Sequence, residues 1–170
     1  MTTVANPKAT ISGLMRPSAV GPRELKFFRG FKKELEYKVG KIRVRMFHGS
    51  PGSNTEDIVS NMSIARLESV VGKTKGDVLV FGHTHLQMLV QHQGRYILNP
   101  GSLGSPFKEL FFADSPTVYP FAEYSIIEVR GANVEISLKR THPNKPKLLK
   151  SVRDSDYPLK EFLLAQYTRN

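Results

Sequence analysis

The sequence predicts an α/β domain of short strands, several paired as antiparallel hairpins, with flanking helices. Three observations point there. The runs Ile42 to Phe47 and Tyr124 to Leu138 alternate polar and apolar residues, the second around a tight turn, as half-buried strands do. Asp77 to Phe81 is short and nearly all apolar, the pattern of a strand covered on both faces. Apolar residues recur at helical spacing after Pro22 and again from Ile64.

Taken in order, residues 1–20 are small, polar and aperiodic, and read as a flexible tail or loop. Residues 21–170 read as a single domain, without internal repeat or boundary. Gly21-Pro22 opens a helix, because proline suits the first helical position. Leu25, Phe28, Phe31 and Leu35 supply its expected apolar stripe. Glu36 to Val39, the Gly40-Lys41 turn and Ile42 to Phe47 form a hairpin. After the loop His48-Gly49-Ser50-Pro51-Gly52-Ser53, a helix is expected to start at Thr55-Glu56-Asp57, where a hydroxyl and two carboxylates suit an N-terminus. Ile64, Leu67, Val70 and Val71 form its expected buried stripe, and Gly72 stops it. The strand Asp77 to Phe81 runs into Gly82-His83-Thr84-His85. A hairpin follows from Gln87 to Leu98, then a turn-rich loop from Asn99 to Pro106, and the hairpin Tyr124 to Leu138. A Pro- and Lys-rich link from Lys139 to Lys150 leads to a terminal helix at Leu159 to Tyr167, with Phe162 and Leu163 or Leu164 inward.

Composition narrows the chemistry. The 170 residues include 39% hydrophobic and 24% charged, ordinary for a folded domain. With no cysteine, disulfides, thiolate metal sites and cysteine nucleophiles are excluded. No apolar run approaches the ~18 residues of a membrane span, and the N-terminus lacks the pattern of a signal peptide. A cytoplasmic location is therefore expected, without membrane partners. The 25 basic residues against 15 acidic leave a formal charge of +10, which favours anionic partners without choosing among them.

Three of the five histidines sit where strands end in glycine-rich loops. His48 follows the Ile42 to Phe47 strand, while His83 and His85 follow Asp77 to Phe81. Neighbouring strand ends converge on one sheet edge, where α/β proteins place their sites. His83 and His85 share a face if extended; on a turn they diverge towards two adjacent ions. Neutral imidazole is the commonest ligand for divalent transition metals. Gly49 and Gly82 allow the backbone a close approach to a ligand. His92, on a hairpin edge, and His142, in the link, are expected at the surface, outside the site.

The ordered combination of helix, hairpin, His48-Gly49 loop, helix, Gly82-His83-Thr84-His85, hairpin and Asn99-Pro100-Gly101-Ser102 resembles the calcineurin-like metallophosphoesterases, particularly their small prokaryotic phosphodiesterase branch. The resemblance runs from Pro22 to Tyr167. It implies an αββα sandwich, of which this chain is the C-terminal half. His48 and His83 match histidines of the second metal site, and His85 matches the histidine of the first. Gly82 and Thr84 match the turn between them. Asn99, Gly101 and Ser102 match a loop beside the site that orients substrate or, the stronger expectation, holds structure. The implied chemistry is two-metal phosphoester hydrolysis with Mn²⁺ first among the candidates, then Fe, Zn or Ni, on a phosphoester small molecule or nucleotide.

The family's Asp-Xaa-His and Gly-Asn-His motifs do not occur in this sequence, and Gly76-Asp77 is not in a context that matches its Gly-Asp motif. Asp77 starts its strand, away from His83, and Asp57 has no histidine two residues on; Asp114, Asp154 and Asp156 match no motif either. Neutral ligands alone do not offset two divalent ions about 3.5–4 Å apart, so the resemblance implies at most one weak site in this chain and little activity alone. A second chain or a further N-terminal segment would complete it, covering apolar strands such as Asp77 to Phe81. A non-catalytic scaffold similar to the retromer subunit of this fold is the alternative. A nucleic-acid binder is the weaker third: the basic stretches Lys26 to Lys33 and Lys139 to Lys150 favour it, but the phenylalanines among the first suit a helix core.

Overall fold

The computed structural model describes residues 21–110 and 116–169. The expected tail, residues 1–20, and Asp114 lie outside them. The elements are α1 (Pro22–Arg29), β1 (Glu34–Val39), β2 (Ile42–Phe47), α2 (Ile64–Val71), β3 (Val78–Phe81), β4 (Met88–His92), β5 (Arg95–Asn99), β6 (Ala122–Arg130), β7 (Asn133–Thr141), α3 (Lys145–Arg153) and α4 (Lys160–Arg169). Five strands form one mixed sheet in the order β1-β2-β3-β5-β4. The inner three, β2, β3 and β5, are parallel, and each edge strand is antiparallel to its neighbour. β6 and β7 make a separate antiparallel pair. The fold is thus mixed α/β with flanking helices, as expected.

Placement at the centre explains the apolar β3. Leu79 and Phe81 face a cluster with Phe47, Ile97, Leu67 and Val71, so α2 covers that side. Val78, on the opposite face, is fully buried as well. β3 is therefore not uncovered, contrary to expectation. The exposed apolar surface lies instead on α1 and β1. α1 ends at Arg29, with Gly30 as its C-cap, so Phe31 falls outside the helix and the expected stripe does not form. Phe27 (66% exposed), Phe28 and Phe31 pack their rings on one another rather than into the core.

α2 starts at Ile64, not near Thr55. Ser63 caps it by accepting from the Arg66 amide at 3.3 Å. The Thr55 amide is already taken by Ser53 Oγ at 3.2 Å, and the irregular segment after it carries Ile58 into the core at 1% exposure. Starting later turns Leu67 and Val71 inward but leaves Ile64 70% exposed. The Lys139 to Lys150 link also resolves into structure. β7 continues to Thr141, and Asn144 caps α3 by accepting from the Lys147 amide.

The β6–β7 pair is tied to the main sheet by a few specific bonds. The Gln87 side-chain amide donates to the carbonyls of Pro100, Tyr124 and Lys139, each at 3.2 Å. The Glu123 amide donates to the Ser102 carbonyl at 2.8 Å. At the C-terminus, the buried Tyr167 of α4 donates its hydroxyl to the Gly104 carbonyl at 3.2 Å.

Candidate metal centre

The parallel pairing of β2 and β3 ends with Phe47 opposite Phe81, their rings stacked 5.6 Å apart. The ladder takes one further step: the Gly82 amide donates to the His48 carbonyl at 2.8 Å. A Cβ on Gly82 would stand 3.2 Å from that carbonyl, so glycine lets the two chain ends close up. His48 and His83 then leave adjacent strands side by side, their ring centroids 5.3 Å apart and nearly edge to face.

The Gly82–His85 loop departs from ordinary backbone at this point. His83 (φ 66°) and His85 (φ 57°) are left-handed, a conformation costly for residues with a Cβ and concentrated at functional sites. The alternation of a strand is broken, and the two histidines separate. His85 Nδ1–H donates to the Ser105 carbonyl at 2.8 Å, which leaves the lone pair on Nε2. Its ring stacks on Phe107 at 5.1 Å. In the other loop, Gly49 is irreplaceable by size: a Cβ there would meet the Ser53 carbonyl at 2.5 Å. Ser50 Oγ accepts from the amides of Gly52 and Ser53 and closes the turn.

Asn99 is fully buried at the end of β5. Its amide donates to the Gly82 carbonyl (2.8 Å) and Thr84 Oγ1 (2.9 Å), and its oxygen accepts from the Gly101 amide (3.0 Å). It braces the histidine turn from behind. Gly101 (φ 83°) packs so tightly on the buried Glu123 that a Cβ would overlap its carboxylate. Glu123 in turn accepts from Arg140 at 2.9 Å. Ser102 Oγ accepts from the Ser105 amide at 3.0 Å, holding the loop whose carbonyl fixes His85.

Asp57 is the residue that sequence spacing missed. Its Oδ1 stands 3.6 Å from His83 Nε2. The neighbouring buried Ile58 anchors it there, and the carboxylates Glu56-Asp57 set before an apolar residue in the loop after His48 were the available signal. His92 also departs from expectation. It is largely buried and pairs with Glu68 of α2, so it ties helix to sheet. His142 lies exposed against Phe121.

Electrostatics suit a cation. His48 is held below its ordinary pKa by partial desolvation first, then by repulsion from His83 and His85, which favours the neutral imidazole that can donate a lone pair. Nitrogen and carboxylate donors at about 2.1 Å from a tetrahedral ion stand roughly 3.4 Å apart, which the Asp57–His83 pair approaches. The donor types of His48, His83 and Asp57 suit one divalent transition ion, but only the His48–His83 and His83–Asp57 pairs stand close. These donors do not suit two ions. Among the described residues no group of three or more His, Asp or Glu side chains stands ready as a metal cage.

A mixed sheet with histidine-bearing glycine loops at its strand ends defines an α/β scaffold with candidate ligands gathered at one sheet edge. Residues 4–143 match the calcineurin-like phosphoesterase superfamily domain, and the chain belongs to that superfamily. No curated protein matches it. Among solved structures it is similar to hypothetical protein PH1004 from Pyrococcus horikoshii OT3 (15% identity, TM-score 0.64), covering 96% of this chain and 66% of that one. It is similar also to a metallophosphoesterase from Sphaerobacter thermophilus (18% identity, TM-score 0.63; 99% and 69% covered). Zinc-complexed Vps29 from Entamoeba histolytica overlays more loosely (19% identity, TM-score 0.46; 66% and 61% covered). The chain thus spans just under two-thirds of the length of PH1004.

Proposed function

We propose that this chain is the histidine-bearing part of a metal-dependent phosphoester hydrolase. The observation that supports it best is that His48 and His83 leave the ends of β2 and β3 side by side, with Asp57 beside His83. A divalent ion held there, Mn²⁺ first among the candidates, supplies Lewis-acid stabilisation of charge growing on phosphoryl oxygens. The chain's own residues position that chemistry. Asn99 holds the turn that presents His83, and the Ser105 carbonyl fixes the tautomer of His85. A groove of about 530 Å³ borders His48, lined by Phe28, Phe31, Lys32, Lys33 and Met46 among others. Its two lysines would draw in the anionic ester, and its aromatic wall suits a phosphodiester or nucleotide. With Asp57 the one carboxylate beside the histidines among the described residues, the chain alone turns over slowly or not at all.

The test is equilibrium dialysis of the folded chain against Mn²⁺, alongside hydrolysis of a chromogenic phosphodiester. One ion per chain, lost in His83→Ala, is the expected result. Folded protein that takes up no ion would sink the reading. A protein-contact module is the second reading, favoured by the exposed apolar residues of α1 and β1; metal uptake without consequence for partner binding would favour the enzyme.

A further inference from the structure

A second polar cavity lies at the opposite end of the sheet from the histidines. Its volume is about 440 Å³, and its wall combines Lys38 and Lys41 beside the β1–β2 turn, Arg43 of β2, Asp77 before β3, and Arg95 at the start of β5. β2, β3 and β5 are parallel, so the starts of β3 and β5 stand at the edge remote from His48 and His83. The β1–β2 hairpin and the start of β5 thus bring four cations to one depression. Gly40 and Gly76 complete the lining.

The partners of each charge decide what remains available. Asp77 spends Oδ2 on the Arg43 amide at 2.7 Å, a bond that joins β2 to β3. Arg43 pairs with Glu36 at 3.4 Å. Arg95 is fixed through Nη1, which donates to the carbonyls of Val71 (3.3 Å) and Thr74 (3.0 Å), so its guanidinium is pre-positioned with other N–H groups unspent. Lys38 and Lys41 have no carboxylate partner among the described residues. Four cations against Asp77 and Glu36 leave an excess of two positive charges. Like charges gathered in a concavity repel one another, and a multiply charged anion relieves that repulsion.

We propose that this cavity binds a small polyanion with two or three linked phosphates, the pyrophosphate or triphosphate class, independently of the metal centre. The alternative source of linked phosphates is a nucleic-acid backbone. The cavity does not favour it, because a single strand needs aromatic platforms for its bases and none lines this wall.

The experiment titrates inorganic triphosphate into EDTA-treated full chain by calorimetry at low salt. Four proteins are compared: wild type, Lys38→Ala/Lys41→Ala, Lys145→Ala/Lys147→Ala and His83→Ala. The second double variant removes the same charge from exposed positions on α3. Saturable binding weakened at least tenfold in Lys38→Ala/Lys41→Ala and changed less than twofold in the other two is the expected result. No saturable binding to wild type overturns the proposal. So does an equal loss in both double variants, which would show net charge acting alone, or a loss in His83→Ala, which would place the anion at the histidines. A single-stranded oligonucleotide that binds more tightly than triphosphate and is lost in the same double variant would also overturn it, in favour of nucleic acid. His83→Ala that loses metal yet keeps triphosphate binding would leave the cavity assignment standing whatever the fate of the hydrolase reading.

Discussion

Replacing Asn99 by alanine tests the claim that this residue builds the histidine turn from behind. The substitution removes two donated hydrogen bonds, to the Gly82 carbonyl at 2.8 Å and Thr84 Oγ1 at 2.9 Å, and one accepted from the Gly101 amide at 3.0 Å. The losses are unequal. The Gly82 carbonyl still accepts from the Thr84 amide, and Thr84 Oγ1 still accepts from the Leu86 amide. Only the Gly101 N–H is left without that acceptor. Three bonds at about 0.5–1.5 kcal/mol each, with the orphaned donor towards the upper end, give a loss of roughly 2–4 kcal/mol. Against a domain stability of about 5–15 kcal/mol that is large. Urea denaturation should show the midpoint falling with little change in slope. Asn99→Asp sharpens the test. It keeps the acceptor for Gly101 but aims a carboxylate at the Gly82 carbonyl, so its carboxyl is protonated more readily folded than unfolded. With the folded pKa raised, the deficit relative to wild type is present at pH 7 and shrinks as pH falls towards the unfolded value of about 3.9. A loss below about 1 kcal/mol for Asn99→Ala, or an aspartate variant whose deficit ignores pH, would refute the bracing role.

Asp57→Ala should weaken Mn²⁺ or Zn²⁺ binding by at least tenfold in calorimetry, because it deletes the charged donor beside His83; affinity within twofold of wild type would remove Asp57 from the site. Gly101→Ala should destabilise by more than Gly94→Ala in thermal melts. Both have positive φ and lose about 1 kcal/mol or more for that, but only the Cβ at 101 also collides, with Glu123. Equal shifts would mean that Glu123 moves aside freely. For metal-free protein, the depressed pKa of His48 means that the unfolded chain takes up a proton first as pH falls. The contribution is fully present above the ordinary histidine value of about 6.5 and is lost as pH drops towards the lower folded pKa. His48→Gln should flatten that part of the stability–pH curve, and an unchanged curve would assign the acid loss elsewhere.

Elements governed by local rules were legible in the sequence. The period-two runs around Gly40, Gly94 and Gly131 became hairpins because each turn needs a positive φ that glycine supplies, and all three adopt it. The apolar run before Gly82 became the central strand because only a strand covered on both faces tolerates it. What was not legible depended on contacts between distant segments. Nothing near Thr55 announces that its amide is claimed by Ser53, and so the helix start was read too early. The stripe after Pro22 has the spacing of a core face, yet periodicity says only which residues point together, not what they meet. The site divides the same way. The placement of His48, His83 and His85 just past the ends of β2 and β3 was legible because strand ends and glycines mark where a chain must turn at a sheet edge. Asp57 was not, because its neighbour is His83, 26 residues away, reached through a loop without periodicity. A carboxylate that short motifs do not mark must be found through its anchor, and here that anchor is Ile58, whose burial pins the loop that sets Asp57 beside His83.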